Sequence, residues 1–103
     1  MAIAEQGRSI TFTAVNESLG FGGNWRRIIA MSFQGTGLTA AQRLVVRDTA
    51  TVGSGNILAD YQTEAATDNA DLWGGRKSQV AKGLSIDNNT IAGTWTLTVT
   101  IAI

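Results

Sequence analysis

The stretch Thr94-Trp-Thr-Leu-Thr-Val-Thr-Ile-Ala-Ile103 decides the fold. Trp95, Leu97, Val99, Ile101 and Ile103 fall on one side of an extended chain, and Thr94, Thr96, Thr98 and Thr100 on the other. Alternation with a period of two is the mark of a strand with one buried and one wet face. Ser9-Ile-Thr-Phe-Thr-Ala14 repeats it in shorter form, with Ile10, Phe12 and Ala14 inward and Ser9, Thr11 and Thr13 outward. Cross-strand threonine pairs are favourable, so the two segments are candidate neighbours in one sheet.

Further strands follow from the same pattern. Trp25 to Phe33 places Trp25, Arg27, Ile29, Met31 and Phe33 on one face, with Trp25 packed at one end of the core. Gln42 to Asp48 puts Leu44 and Val46 inward, between Arg43, Val45 and Arg47. Ile57 to Gln62 puts Ile57, Ala59 and Tyr61 on one side, and Val80 to Asp87 offers Val80, Leu84 and Ile86, with Lys82 snorkelling or near an edge. Gly20-Phe-Gly-Gly-Asn24, Gly35-Thr-Gly37, Gly53-Ser-Gly55, Gly74-Gly75 and Asp87-Asn-Asn89 supply the turns. Residues 49–55 read as a hairpin tip. Thr63 to Gly75 lacks alternation and reads as a long loop or a stretch holding a helical turn.

Short strands separated by turns, with no helical period of useful length, predict an all-β fold. The form expected is a small single-domain β-sandwich or jelly-roll-like barrel of about six to eight antiparallel strands. An N-terminal arm is expected over 1–8 and the β-sandwich domain over 9–103. With 103 residues and 44% hydrophobic side chains, the chain can bury one modest core.

Composition narrows the chemistry. The chain has no cysteine and no histidine, which removes disulfides, thiolate nucleophiles, the commonest general base and the commonest transition-metal ligand. Eight basic residues balance eight acidic ones, so no long-range field recruits nucleic acid or an anionic membrane. The first eight residues lack the basic start and apolar run of a secretory signal, and no apolar stretch is long enough to span a membrane. The expectation is a protein made in a cytoplasm, not secreted, without cofactor or metal and without enzymatic activity.

The candidate sites in the sequence mostly have plain explanations. Asp60, Glu64, Asp68 and Asp71 lack the spacing of a calcium loop and read as a solvated loop. Gly20-Phe-Gly-Gly has no Lys-Ser/Thr pair and makes a turn rather than a phosphate cradle. Arg26 and Arg27 alternate in direction along a strand, so Arg26 is expected to pair with a carboxylate across a subunit interface, where arginine is enriched. Trp73, in Asp71-Leu-Trp-Gly-Gly-Arg-Lys77, reads either as an exposed aromatic anchor or as a core cap, with Arg76 and Lys77 beside it. Ile3, in the apolar Ala2-Ile-Ala4, is the contact residue of an arm reaching onto a neighbour, or simply frays. Left at an open edge, the uncharged terminal strand would invite aggregation, so it is expected to be central or covered by a second subunit. That argues for a homo-oligomer, a dimer or a trimer.

From Trp25 onward the layout resembles a known family. Trp25-Arg-Arg-Ile-Ile-Ala-Met-Ser-Phe-Gln-Gly35 leads into a Thr-Gly-Leu-Thr-Ala-Ala turn and Arg43-Leu-Val-Val-Arg-Asp48. Asn56-Ile-Leu-Ala-Asp-Tyr61, Val80-Ala-Lys-Gly-Leu-Ser-Ile86 and Gly93-Thr-Trp-Thr-Leu-Thr-Val99 complete it. This is similar to the small β-sandwich virion proteins of tailed bacteriophages, among them capsid cement (decoration) proteins. The resemblance implies a structural protein at the capsid surface, with the major capsid protein and copies of itself as partners. The alternative is a carbohydrate- or receptor-binding β-module of a phage tail, using Trp73 and the Asp60, Asp68 and Asp71 region to hold a glycan.

Overall fold

The computed structural model describes residues 7–72 and 79–102. They form nine strands in two antiparallel sheets, a β-sandwich without helices among the described residues. The strands are β1 (Gly7–Phe12), β2 (Ser18–Gly20), β3 (Arg26–Thr36), β4 (Arg43–Arg47), β5 (Ile57–Gln62), β6 (Thr67–Asp71), β7 (Gln79–Ala81), β8 (Gly83–Ile86) and β9 (Thr94–Ala102). The first sheet runs β1-β9-β3-β6, with β7 also on β3; the second runs β2-β8-β4-β5.

The alternating C-terminal segment is the spine of the first sheet. β9 lies between β1 and β3, so from Leu97 onward both its edges are bonded within the chain. The expected threonine neighbours are present: Thr11 stands opposite Thr98, and Ser9 opposite Thr100. Trp95, Leu97, Val99 and Ile101 are buried, facing Leu44, Val46, Leu84 and Ile86 of the second sheet in one apolar cluster. Burying each such aliphatic side chain contributes about 1.5–3 kcal/mol. Phe33 joins the layers, with its ring centroid 5.2 Å from Tyr61 and 5.9 Å from Trp95.

Strict alternation fails at β3, for an identifiable reason. Ile28 pairs with Ile101, yet Ala30 pairs with Thr100, so Ile29 is an extra residue, a β-bulge. An inserted residue inverts the parity of everything before it. Ile28, not Ile29, is therefore the fully buried residue, and Trp25 is exposed at 59% instead of packed in the core. The inward set before the bulge becomes Arg26 and Ile28, in place of Trp25, Arg27 and Ile29. β5 has a second bulge: Arg47 pairs with Ile57 and Val46 with Ala59, leaving Leu58 as the extra residue. Leu58 is buried there and Ile57 is half exposed.

Other expectations change: β1 ends at Phe12, so Ala14, expected inward, is exposed, and Val45, expected outward, is buried. Val80 to Asp87 is not one strand: β7 bonds to β3 and β8 bonds to β2 and β4, so the chain crosses between sheets at Lys82. Val80 then faces solvent and Ala81 the core. Thr67–Asp71, read as loop or helical turn, is strand β6, paired with Ser32 to Thr36. The 49–55 hairpin tip is found where expected, joining β4 to β5. The Asp48 carboxylate accepts from the Asn56 N–H at 2.8 Å, and the Thr49 hydroxyl donates to the Ser54 carbonyl at 2.8 Å.

Thr63, which is buried, ties the β3–β4 connection to the end of β5. Its hydroxyl donates to the Thr39 carbonyl at 2.6 Å and accepts from the Gln42 N–H at 3.0 Å. The same loop holds Ala41 at a φ of 66°, a conformation that needs outside support in a non-glycine residue.

Candidate functional site

The outer face of the first sheet is built by parity. Opposite the buried apolar row of β9, the exposed row places Thr36, Thr94 and Thr67 side by side, then Gln34, Thr96 and Asn69. The next row is Asp71, Ser32, Thr98 and Thr11. Four strands thus share a face of short hydroxyl and amide side chains with a carboxylate at its margin. Near one end the face dips into a shallow depression of about 310 Å³, lined by Gln34, Thr36, Thr67, Asn69, Thr94 and Thr96 among others. β-Branched threonine has little rotamer freedom to lose, so such a face is cheap to order against a partner.

A second feature lies at the other end of that sheet, on its inner side. Arg8 stands opposite Ile101, and directly paired residues share a face, so Arg8 points the way the buried Ile101 points. Arg26 stands opposite the buried Ala81 and precedes the buried Ile28 by two residues, which puts it on the same inner side. Both arginines, with Ile101 and Ala102, line a recess of about 220 Å³ at the open end of the sandwich. On the outer side of the same corner, Lys82 Nζ sits 5.1 Å from the centroid of the exposed Trp25 ring. Such contacts contribute about 0.5–1 kcal/mol at exposed sites.

Several other charged groups among the described residues are paired. Arg43 forms a two-pronged pair with Asp60, and Arg47 Nε donates to Asp87 at 2.9 Å while its Nη1 donates to the Gly55 carbonyl at 3.0 Å. Asp68 accepts from the Glu64 N–H at 2.9 Å and the Ala65 N–H at 3.3 Å. Those bonds, the Glu64 one foremost and aided by the Tyr61 hydroxyl, hold the Asp68 carboxyl below its ordinary value against the opposing effect of desolvation. Burial, then the hydrogen bond that its hydroxyl donates to Asp68 and the Asp68 and Glu64 charges, push the Tyr61 phenol up. Asp60 is thus held by Arg43 and Asp68 by the Glu64–Ala65 backbone, and no group of three or more acidic side chains among the described residues could hold a metal ion.

Of the residues singled out in the sequence, Arg26 is at the recess. Ile3, Trp73, Arg76 and Lys77 lie outside the described residues. Arg8 was missed, although its signal was present: it continues the inward series Ile10 and Phe12 one step further. No helix among the described residues is long and apolar enough to cross a membrane. No protein-family model matches the chain, and no curated protein or solved structure does either.

Proposed function

We propose that this chain is a non-enzymatic virion structural protein, a capsid cement protein that lays the hydroxyl face of its first sheet on the outer surface of a phage shell. The carrying observation is that face: four strands wide, built of Thr, Ser, Asn and Gln in paired register. It offers many weak hydrogen-bonding groups over a broad area, which suits contact with a surface better than enclosure of a substrate. The sequence resemblance to phage virion β-sandwiches points the same way. Each contact is modest, and many copies acting together on one shell make the sum strong. The partners in this reading are the major capsid protein and copies of the chain as a dimer or trimer, with no nucleic acid and no membrane.

The test is co-sedimentation with undecorated phage shells assembled from a major capsid protein. Shells carrying bound protein and resisting heat better than bare shells are the expected result; protein left wholly in the supernatant overturns the proposal. Thr96→Lys with Thr98→Lys, which alter the face and leave the core row intact, should abolish binding while the circular dichroism spectrum stays unchanged. The shallow depression around Asn69 and Gln34 favours a second reading, a glycan-binding module of a phage tail. A chain that ignores shells but gives a glycan-array signal would move the conclusion there, and a blank array would remove that reading.

A further inference from the structure

The recess between Arg8 and Arg26 plays no part in contact through the outer face, since both side chains point to the inner side of the sheet. An inward charge on an edge strand discourages another chain from adding to the sheet, and β1 is an edge strand. That reason does not extend to Arg26. At Arg26 the strand β3 is bonded to β7, opposite Ala81, and two residues on, at Ile28, to β9 as well, so Arg26 does not lie on an outer strand of the sheet. The bulge at Ile29 nevertheless brings Arg26 to the inner side, where Arg8 already points.

The charge arrangement separates these two arginines from the others. Arg43 and Arg47 each have a carboxylate, Asp60 and Asp87. Arg8 and Arg26 make no ion pair or side-chain hydrogen bond with any described residue. They sit instead against the apolar Ile101 and Ala102 around about 220 Å³ of space. One strand, β9, separates β1 from β3, and Arg26 lies two residues beyond the level of Arg8, so the two Cα positions are about 10 Å apart across the sheet and about 7 Å along it, or about 12 Å in all, within converging reach of two arginine side chains. Two guanidinium forks facing one small space match the two oxygens of a carboxylate, and the apolar wall matches the methylene stem that carries it. The space suits a single side chain. A polyanion such as nucleic acid would need an extended basic track instead.

We infer that this open end of the sandwich is a docking site for a carboxylate side chain of a partner polypeptide, gripped between Arg8 and Arg26. The inference does not depend on the virion reading, because its test contains no shell. The ¹⁵N-labelled full chain is titrated with a short capped peptide bearing one glutamate between leucines, with the glutamine version of that peptide, and with inorganic phosphate. The glutamate peptide should shift the amide signals of Arg8, Ile101 and Ala102, and the glutamine peptide should not. Arg8→Gln and Arg26→Gln should each weaken binding about tenfold or more, since each removes a hydrogen bond to a charged group. Both positions are exposed, so the remaining signals should stay in place and report an intact fold. No shifts through the millimolar range, or shifts that survive both substitutions, overturn the inference. Phosphate binding as tightly as the peptide at the same amides would show a site for small free anions and overturn the assignment to a polypeptide.

Discussion

Replacing Thr63 by valine isolates the polar clamp at the base of the β3–β4 loop. The two side chains have nearly the same shape, so the change removes a hydroxyl without opening a cavity. Two hydrogen bonds go, to the Thr39 carbonyl at 2.6 Å and from the Gln42 N–H at 3.0 Å. Thr39 is exposed and its carbonyl can turn to water, which leaves little more than the net worth of one bond, about 1 kcal/mol. Gln42 is only partly exposed, and its amide facing a methyl group costs about 1–3 kcal/mol. The added methyl returns about 0.8 kcal/mol of hydrophobic transfer. The net expectation is a loss of about 2 kcal/mol, or about 10 °C in Tm for a domain of this size.

Urea unfolding followed by tryptophan fluorescence measures this, with Thr63→Ser as the control. Serine keeps the hydroxyl and loses a methyl, at a cost of about 1 kcal/mol. Amide exchange at Gln42 should quicken in the valine variant and stay close to the parent in the serine variant. A valine variant as stable as the parent, or more stable than the serine one, would refute the claim that the hydroxyl pins the loop.

Two further outcomes follow from the same geometry. A Cβ added at Gly83 would stand 2.7 Å from the Ala50 nitrogen and 2.8 Å from the Leu19 carbonyl oxygen, both backbone atoms that cannot step aside; Gly83→Ala should therefore lower stability by about 1–3 kcal/mol in chemical denaturation, with parental values counting against the packing described. The lowered pKa of Asp68 means that its contribution to stability is fully present above the ordinary carboxyl value of 3.8 and is lost as pH falls through the lower folded value; Asp68→Asn should flatten the acid end of the stability profile while leaving its shape above pH 5 unchanged, and an identical acid limb would show that the Glu64 and Ala65 bonds carry no linkage.

What the sequence revealed and what it hid follow from the range of the forces involved. The alternation in β9 and β1 was legible because each side chain's burial depends only on its own parity, and those strands carry no bulge. β3 misled because one extra residue at Ile29 resets parity, and nothing in Trp25 to Phe33 marks which residue is extra; the partner strand decides it. β6 was illegible for a different reason. Thr67-Asp-Asn-Ala-Asp71 has low strand propensity and buries little, and it is extended because β3 offers it an edge. Of the candidate site, Arg26 was found by its residue type, but its direction came only with the bulge. The hydroxyl face was half visible, since the Thr94 to Thr100 row was plain and the rows from β3 and β6 needed the strand order.

The place of β9 also changes the argument for assembly. Placed at an edge, an uncharged apolar strand would have demanded a second subunit; placed between β1 and β3, it demands nothing. The edges that do remain among the described residues are poor templates for strand addition. β2 and β7 are three residues long, β5 carries Asp60, β6 carries Asp68 and Asp71, and β1 turns Arg8 inward near its start. Short and charged edges are the usual means by which β-proteins avoid unwanted pairing. In the proposed reading, contact with a partner is steered away from edge-to-edge sheet extension and toward surfaces that carry no such deterrent. In this fold those are the broad hydroxyl face, suited to many weak bonds, and the arginine-lined mouth, suited to one strong one. A partner that engaged both would gain orientation as well as affinity, because the two surfaces lie toward opposite ends and on opposite sides of the same sheet.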